Sequence, residues 1–189
     1  MQKPVQSSVP IHPILAERWS PRSFKSDSKI SNADLYGMLE AGRWAPSTGN
    51  SQPWRFLIAH QAESRFQLIA ETLNPFNKEW APSAALFILV CAILEAPDGT
   101  PRPTALVDVG LSIGFLTIEA HHRGLGIHPM SNFDHDLLKR NCDLSEDLDP
   151  IVVLAIGVSD EPSALPSERL KEMELAPRQR LSLNELIIP

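Results

Sequence analysis

The chain is poor in cysteine: Cys91 lies inside an apolar run and Cys142 in a polar stretch, and there is no third. Two thiols cannot build a disulfide framework, which points to a reducing compartment, the cytoplasm. Metal-ligand spacing is lacking as well, since no Cys-x-x-Cys or His-Glu-x-x-His occurs. His121 and His122 are adjacent and point different ways on a helix, while a proline separates His128 from His135 and Cys142. No metal is expected. Basic excess is missing too: 17 Lys and Arg stand against 23 Asp and Glu, a net charge of -6. That balance excludes sequence-independent nucleic-acid binding. The longest apolar run, Ala84 to Leu94, is half the roughly 20 residues a membrane span needs. Met1-Gln2-Lys3-Pro4 lacks an apolar signal core, so no secretion is expected. There is no Gly-x-Ser-x-Gly elbow for a hydrolase and no Gly-x-Gly-x-x-Gly loop for a dinucleotide fold.

What is present fits one domain over residues 1–189, long enough to bury a core. Ser31-Asn32-Ala33-Asp34 has the form of a capping box, and Leu35, Met38 and Leu39 then share one helical face to about Gly42. Trp54 to Ala59 reads as a strand. Ala62 to Leu73 reads as a helix with Phe66, Ile69 and Ala70 inward. The continuous apolar run Ala84–Ile93 suits a central strand covered on both faces. The proline-rich stretch from Pro97 to Pro103 is a loop. Further elements are a short helix at Asp134–Arg140, a strand at Ile151–Val158 and a short helix at Ser167–Glu174. The fold class is α+β, a mostly antiparallel central sheet flanked by helices.

Thr104 is placed to cap a long helix from Ala105 to Arg123. Leu106, Val109, Leu111, Ile113, Phe115, Leu116 and Ile118 surround nearly its whole circumference, so both sides must be covered. Gly110 and Gly114, four apart, strip side chains from one face at about 1 kcal/mol each in helix propensity. In a chain this small, close approach of a second copy offsets that cost better than internal packing does. A homodimer is expected.

Three polar segments stand out. In Arg18-Trp19-Ser20-Pro21-Arg22-Ser23-Phe24, Pro21 forbids a regular helix, and residues two apart in extended chain point the same way. Arg18, Ser20 and Arg22 then converge as donors for a phosphate monoester. Arg178 and Arg180 alternate likewise after Pro177. Either pair alone could be a solvated surface; two in an acidic chain favour a shared anion. Between them, Ala45-Pro46-Ser47-Thr48-Gly49-Asn50-Ser51-Gln52-Pro53-Trp54 places hydroxyls, amides and a glycine between two prolines, just before a strand. Such a rigid polar loop suits a planar ligand with polar edges.

In this order the segments resemble the nitroreductase family of flavin enzymes. Arg18-Trp19-Ser20-Pro21-Arg22 is similar to its N-terminal phosphate motif, and the Pro46–Trp54 loop to its second signature. Gly124-Leu125-Gly126-Ile127-His128-Pro129-Met130-Ser131-Asn132 is similar to the segment passing the flavin ring, and Pro177-Arg178-Gln179-Arg180 to the closing basic motif. The resemblance implies FMN as cofactor, NADH or NADPH as co-substrate, and ping-pong transfer of hydride to a small electron-poor acceptor, a nitroaromatic or a quinone. Ene reduction and dehalogenation are variants within the same class. It also implies dimers that exchange terminal segments, with two flavin sites at the interface. On this reading Arg18, Trp19, Ser20, Arg22, Arg178 and Arg180 hold the phosphate end. Pro46, Ser47, Thr48, Asn50 and Asn77 meet the polar ring edge, the loop serving the partner's flavin. Pro129, Met130, Ser131 and Asn132 pass the ring. Two departures concern the donor and acceptor. Ser131 and Asn132 stand where the family often has an acid and a glycine, and Asn77 is followed by Lys78-Glu79-Trp80. The Trp80 region and the Pro97–Pro103 loop are the expected lid. The alternative function is a flavin-binding protein without turnover.

Overall fold

Strand β2, Leu86–Ile93, has side chains that alternate between two separate cores. Phe87, Leu89 and Cys91 join one, Leu86, Ile88, Val90 and Ala92 the other. A period of two with both sets apolar is the pattern of a strand covered on both faces. The structure is a computed structural model that describes residue 3, residue 5 and residues 7–188. Met1, Gln2, Pro4, Gln6 and Pro189 lie outside these, so the reading of Met1–Pro4 is met only at Lys3.

Around β2 the sheet runs in the order β1-β2-β4-β3, every pair antiparallel, with β1 Trp54–His60, β3 Gly126–Met130 and β4 Leu148–Gly157. The α+β expectation holds. β3 escapes the sequence reading because Pro129 and two glycines argue against a strand. It survives because it is an edge strand, where a missing N–H can face away from the ladder.

Eight helices complete the described chain: α1 Pro13–Glu17, α2 Asn32–Arg43, α3 Ser64–Ala70, α4 Pro75–Lys78, α5 Ala105–His122, α6 His135–Asn141, α7 Glu168–Leu175 and α8 Leu183–Leu186. Ser31 caps α2 as expected, its hydroxyl accepting from the Asp34 N–H at 3.0 Å. Asp134 caps α6 and Ser167 caps α7 in the same way. Thr104 does not cap α5: its hydroxyl makes no cap bond and turns instead to Asp108, at 3.5 Å. Helices α2 and α5 cover one face of the sheet. There the Ser112 hydroxyl donates to the Gly42 carbonyl at 2.9 Å, an approach that a larger residue at 42 would crowd. Phe66 of α3, stacked on Phe87 at 4.0 Å, and Leu138 of α6 fill the opposite face.

Helix α5 is only half covered. Ala105, Val109, Ser112, Leu116 and Ala120 are buried, whereas Leu106, Val107, Leu111 and Phe115 are exposed on the side where Gly110 and Gly114 face open space. Trp80 is no lid: it is 2% exposed and packs 4.5 Å from the His128 ring and 6.3 Å from Phe24. Its bulk is spent on the core. Among the described residues no helix is long and apolar enough to cross a membrane.

Candidate functional site

Pro21 breaks the chain after α1, and the extended segment that follows is stitched to three elements. The Lys25 N–H donates to the Val158 carbonyl at 2.9 Å, the Ser23 hydroxyl to the Glu161 carbonyl at 2.7 Å, and the Pro21 carbonyl accepts from His128. That anchoring fixes where Arg18 and Arg22 point, and they part company. Arg18 lines a cleft of about 410 Å3 with Arg178, Gln179, Arg180, Val5, Ile11 and Leu15. Its Nη1 also lies 3.4 Å from the Ser20 hydroxyl.

Arg22 turns the other way. Its Nη1 is 3.8 Å from Glu174, its guanidinium carbon 5.8 Å from the Phe76 ring centroid, and His128 feels its charge. The expectation that Arg18, Ser20 and Arg22 share one direction is corrected: the 2.9 and 3.1 Å bonds from the Arg22 and Ser23 N–H groups to Glu174 turn the chain between them.

In the cleft, burial pushes the Arg18 pKa down, and the nearby charges of Arg178 and Arg180 add to that. Burial does the same to Arg178, with Arg180 contributing. Three guanidiniums gather where, among the described residues, no carboxylate pairs with any of them. Arg178 has a double role. Its Nη1 donates to the Arg18 carbonyl at 2.7 Å and its Nη2 to the carbonyls of Lys3 (2.6 Å) and Ala16, clasping the tail to the end of α1. Its Nε stays buried without a partner. Unpaired, mutually repelling guanidiniums with a spare N–H fit a phosphate group. Trp19 flanks the site half-buried, the Lys3 ammonium 4.4 Å from its ring centroid.

The loop from Pro46 to Gln52 is shaped by a residue that the sequence reading missed. Asp108, 3% exposed in the first turn of α5, accepts from the Thr48 N–H at 3.2 Å with both oxygens. The hydroxyls of Thr48 and Ser51 lie 3.4 and 3.5 Å from it. The Gln52 N–H donates to the Ser47 hydroxyl at 3.1 Å. Held this way, Gly49 (φ 58°), Asn50 (55°) and Gln52 (44°) adopt left-handed backbone, which non-glycine residues seldom do. Pro46, Thr48 and Asn50 remain exposed. The signal in the sequence was an acid amid the apolar first half of α5.

Asn77 is buried in α4, while Pro129, Ser131 and Asn132 are exposed and Met130 is core. The Asn132 carbonyl accepts from the Asn74 N–H at 3.2 Å, so the segments carrying Asn77 and Ser131 run side by side. The Arg22 guanidinium lies 5.8 Å from the Phe76 ring, and its charge reaches His128 on β3. The structure therefore gathers two groups in one protomer: the Arg18–Arg178–Arg180 cleft, and Arg22 with Asn77 and the β3 exit. The Pro46–Gln52 loop is not among them. It lies at the Asp108 end of α5, whereas Trp19 and Pro21 lie by His121 near the other end. Thirteen residues of helix separate those ends, about 20 Å at 1.5 Å per residue.

His128, the one histidine in these segments, is packed rather than solvated. Nδ1 lies 3.0 Å from the Pro21 carbonyl, which can only accept, so the neutral ring carries its proton there. Burial, then the charge of Arg22, lowers its pKa to about 4 from 6.5. The fold thus favours neutral His128. Its contribution to stability is complete above pH 6.5 and is lost as pH falls toward about 4, because the unfolded chain takes up the proton first. Denaturant titrations across that range should show stability falling with pH, less steeply in His128→Asn. Between pH 6 and 8 burial and the Arg22 charge favour the neutral ring. Among the described residues no cluster of His, Cys, Asp and Glu is placed to hold a metal ion.

The model of the nitroreductase family matches residues 15–158. An uncharacterized 15.4 kDa protein of Mycolicibacterium smegmatis is 36% identical over 128 residues, covering 68% of this chain and 84% of that one. An oxygen-insensitive NADPH nitroreductase of Helicobacter pylori is 32% identical over 97 residues. That match spans 51% of this chain and 41% of the relative. A solved structure described as an oxidoreductase containing FMN superposes with a TM-score of 0.90 at 32% identity, covering 97% of this chain and 93% of its own.

Proposed function

The chain belongs to the nitroreductase family, and from that premise we propose that it is an FMN-dependent oxidoreductase, taking hydride from NADH or NADPH and passing it to a small electron-poor acceptor such as a nitroaromatic or a quinone. The observation that carries this reading is the cluster of Arg18, Arg178 and Arg180, three guanidiniums without a carboxylate among the described residues. A terminal phosphate answers it; a dinucleotide fold is absent from the sheet topology.

Bound flavin supplies the hydride chemistry, leaving the protein to bind, orient and tune it. Arg18 and Arg180, with the spare Nε of Arg178, would hold the phosphate, with Ser20 beside them and Trp19 at the rim. Arg22 moves in this reading from the phosphate to the ring end, since it lies 5.8 Å from the Phe76 ring and its charge reaches His128. Asn77, Pro129, Met130, Ser131 and Asn132 line the same end. Pro46, Ser47, Thr48 and Asn50 would meet a ring edge in the second protomer, because about 20 Å of helix separates them from Trp19 and Pro21 of their own chain. A homodimer joined along the exposed apolar side of α5 brings the two halves together. Beside the Arg22 guanidinium, which stays charged, the polar groups at the ring end are hydroxyls and amides, and none of these titrates between pH 6 and 8. The acceptor step should therefore vary little across that range, its protons coming from water. A cytoplasmic setting agrees with two unpaired, buried cysteines.

Protein purified without added cofactor should be yellow and release FMN, not FAD, on denaturation. A colourless protein that also fails to take up micromolar FMN contradicts the assignment. Steady-state oxidation of NADH or NADPH, with parallel double-reciprocal lines when the acceptor is varied, separates an enzyme from a flavin-binding protein without turnover.

A further inference from the structure

Glu174 takes no part in the chemistry described so far, yet it is one of the most deeply buried charged groups in the chain, 0% exposed on α7. Its Oε1 accepts from the backbone N–H groups of Arg22 (2.9 Å) and Ser23 (3.1 Å). Its Oε2 faces the Arg22 Nη1 at 3.8 Å and has no hydrogen-bond partner, and neither does the buried Arg22 Nε. The pair is therefore loose. One oxygen of the carboxylate grips the backbone, while the other stands off from the guanidinium and leaves its donors unspent. Lys3 also lies within Coulombic reach of Glu174.

A neutral amide could receive the two backbone bonds. A carboxylate buried beside a cation costs desolvation that this structural duty does not require. What the charge adds is a field, felt strongly where water is excluded. The Arg22 guanidinium lies 5.8 Å from the ring of Phe76, the neighbour of Asn77, and its charge reaches His128 on β3, which puts it at the ring end of the proposed site.

We propose that Glu174 is a positioning residue that holds Arg22 at the ring end of the flavin site and tempers its positive field, so that the pair sets the reduction potential of bound FMN. The inference rests on the flavin reading above. Charge near the ring tunes the cofactor. The reduced form carries added negative charge, which an uncompensated Arg22 would stabilise. Glu174 keeps the flavin from becoming too reluctant to pass electrons on.

The test is an anaerobic redox titration, followed by absorbance, of the FMN-loaded dimer and its variants. Glu174→Gln keeps an oxygen for the Arg22 and Ser23 N–H groups and removes the charge. FMN should stay bound, and the oxidised–reduced equilibrium should move about tenfold toward the reduced form, about 30 mV for a two-electron couple. Arg22→Gln should move it the opposite way. If Glu174→Gln alone does not fold, Arg22→Gln combined with Glu174→Gln removes both charges together. Its midpoint should then lie above that of Arg22→Gln. An unchanged midpoint in Glu174→Gln with FMN bound, or equal midpoints for Arg22→Gln and the double variant, overturns the role of Glu174 while leaving the flavin site standing. Wild-type protein that takes up no FMN overturns both.

Discussion

Arg18→Ala should yield a folded protein that loses FMN on dialysis, with affinity reduced roughly 10- to 100-fold, as expected for removing charge-assisted hydrogen bonds worth about 1.5–3 kcal/mol. Arg18 is the informative arginine to remove. Among the described residues its guanidinium approaches one hydrogen-bonding partner, the Ser20 hydroxyl at 3.4 Å, so truncation there orphans no carbonyl. Arg178→Ala would leave the carbonyls of Arg18, Lys3 and Ala16 without their donor and untie the tail, confounding binding with folding. The sign of the stability change adds a second check. Burial and the charges of Arg178 and Arg180 both disfavour the charged form of Arg18. Without an anion, then, Arg18→Ala should melt at the same temperature as wild type or higher. With FMN present it should melt lower, since bound ligand stabilises by mass action. Fluorescence titration with FMN and thermal melts in both states measure the pair of effects. Flavin retained at wild-type affinity would remove the phosphate from this cleft.

The arginine cleft was legible in the sequence, apart from Arg22, because its chemistry advertises itself. Arginines beside Pro21 and Pro177 cannot be excused as a helix surface, and an acidic chain has few reasons to gather them. The loop was legible for the same reason, through Pro46, Gly49 and Pro53. What stayed hidden were the carboxylates behind those segments. Asp108 left one trace, an acid among the apolar residues of the first half of α5, and its partners at Thr48 and Ser51 are 60 and 57 residues away in the chain. Glu174 left none: it lies in the charged stretch Glu168-Arg169-Leu170-Lys171-Glu172-Met173-Glu174, where any acid reads as a solvated face. Only the packing of α7 decides that this one faces inward. Continuous apolar runs likewise marked β1, β2 and β4, whereas β3 was masked by Pro129, whose tolerance depends on the strand's place at the sheet edge. Local chemistry is written in local sequence; long-range partners and edge positions are not.

Gly114→Leu separates a lone protomer from a dimer by the sign of its effect. A Cβ added at Gly114 meets nothing within 4 Å in the protomer, and the residue lies mid-helix, outside the left-handed region. For a protein that works alone, the change should therefore help by up to about 1 kcal/mol, the helix-propensity penalty of glycine. The exposed neighbours argue that it does not work alone. Leu106, Val107, Leu111 and Phe115 are 55%, 65%, 40% and 45% exposed, an apolar side too extended for a monomer to leave wet without reason. If a second α5 packs there, small residues at 110 and 114 set how closely the two backbones approach. A leucine at 114 then overpacks the contact, which typically costs 1–3 kcal/mol and is incurred by both copies. Light scattering should find wild type as a dimer and Gly114→Leu as monomer or aggregate. On the proposed reading the Pro46–Gln52 loop meets the flavin ring edge of the second protomer, so the variant should lose its flavin as well, although no residue of either segment has changed. A Gly114→Leu protein that is more stable than wild type, of unchanged size and still yellow, would mean that α5 faces solvent and that the loop serves some other partner.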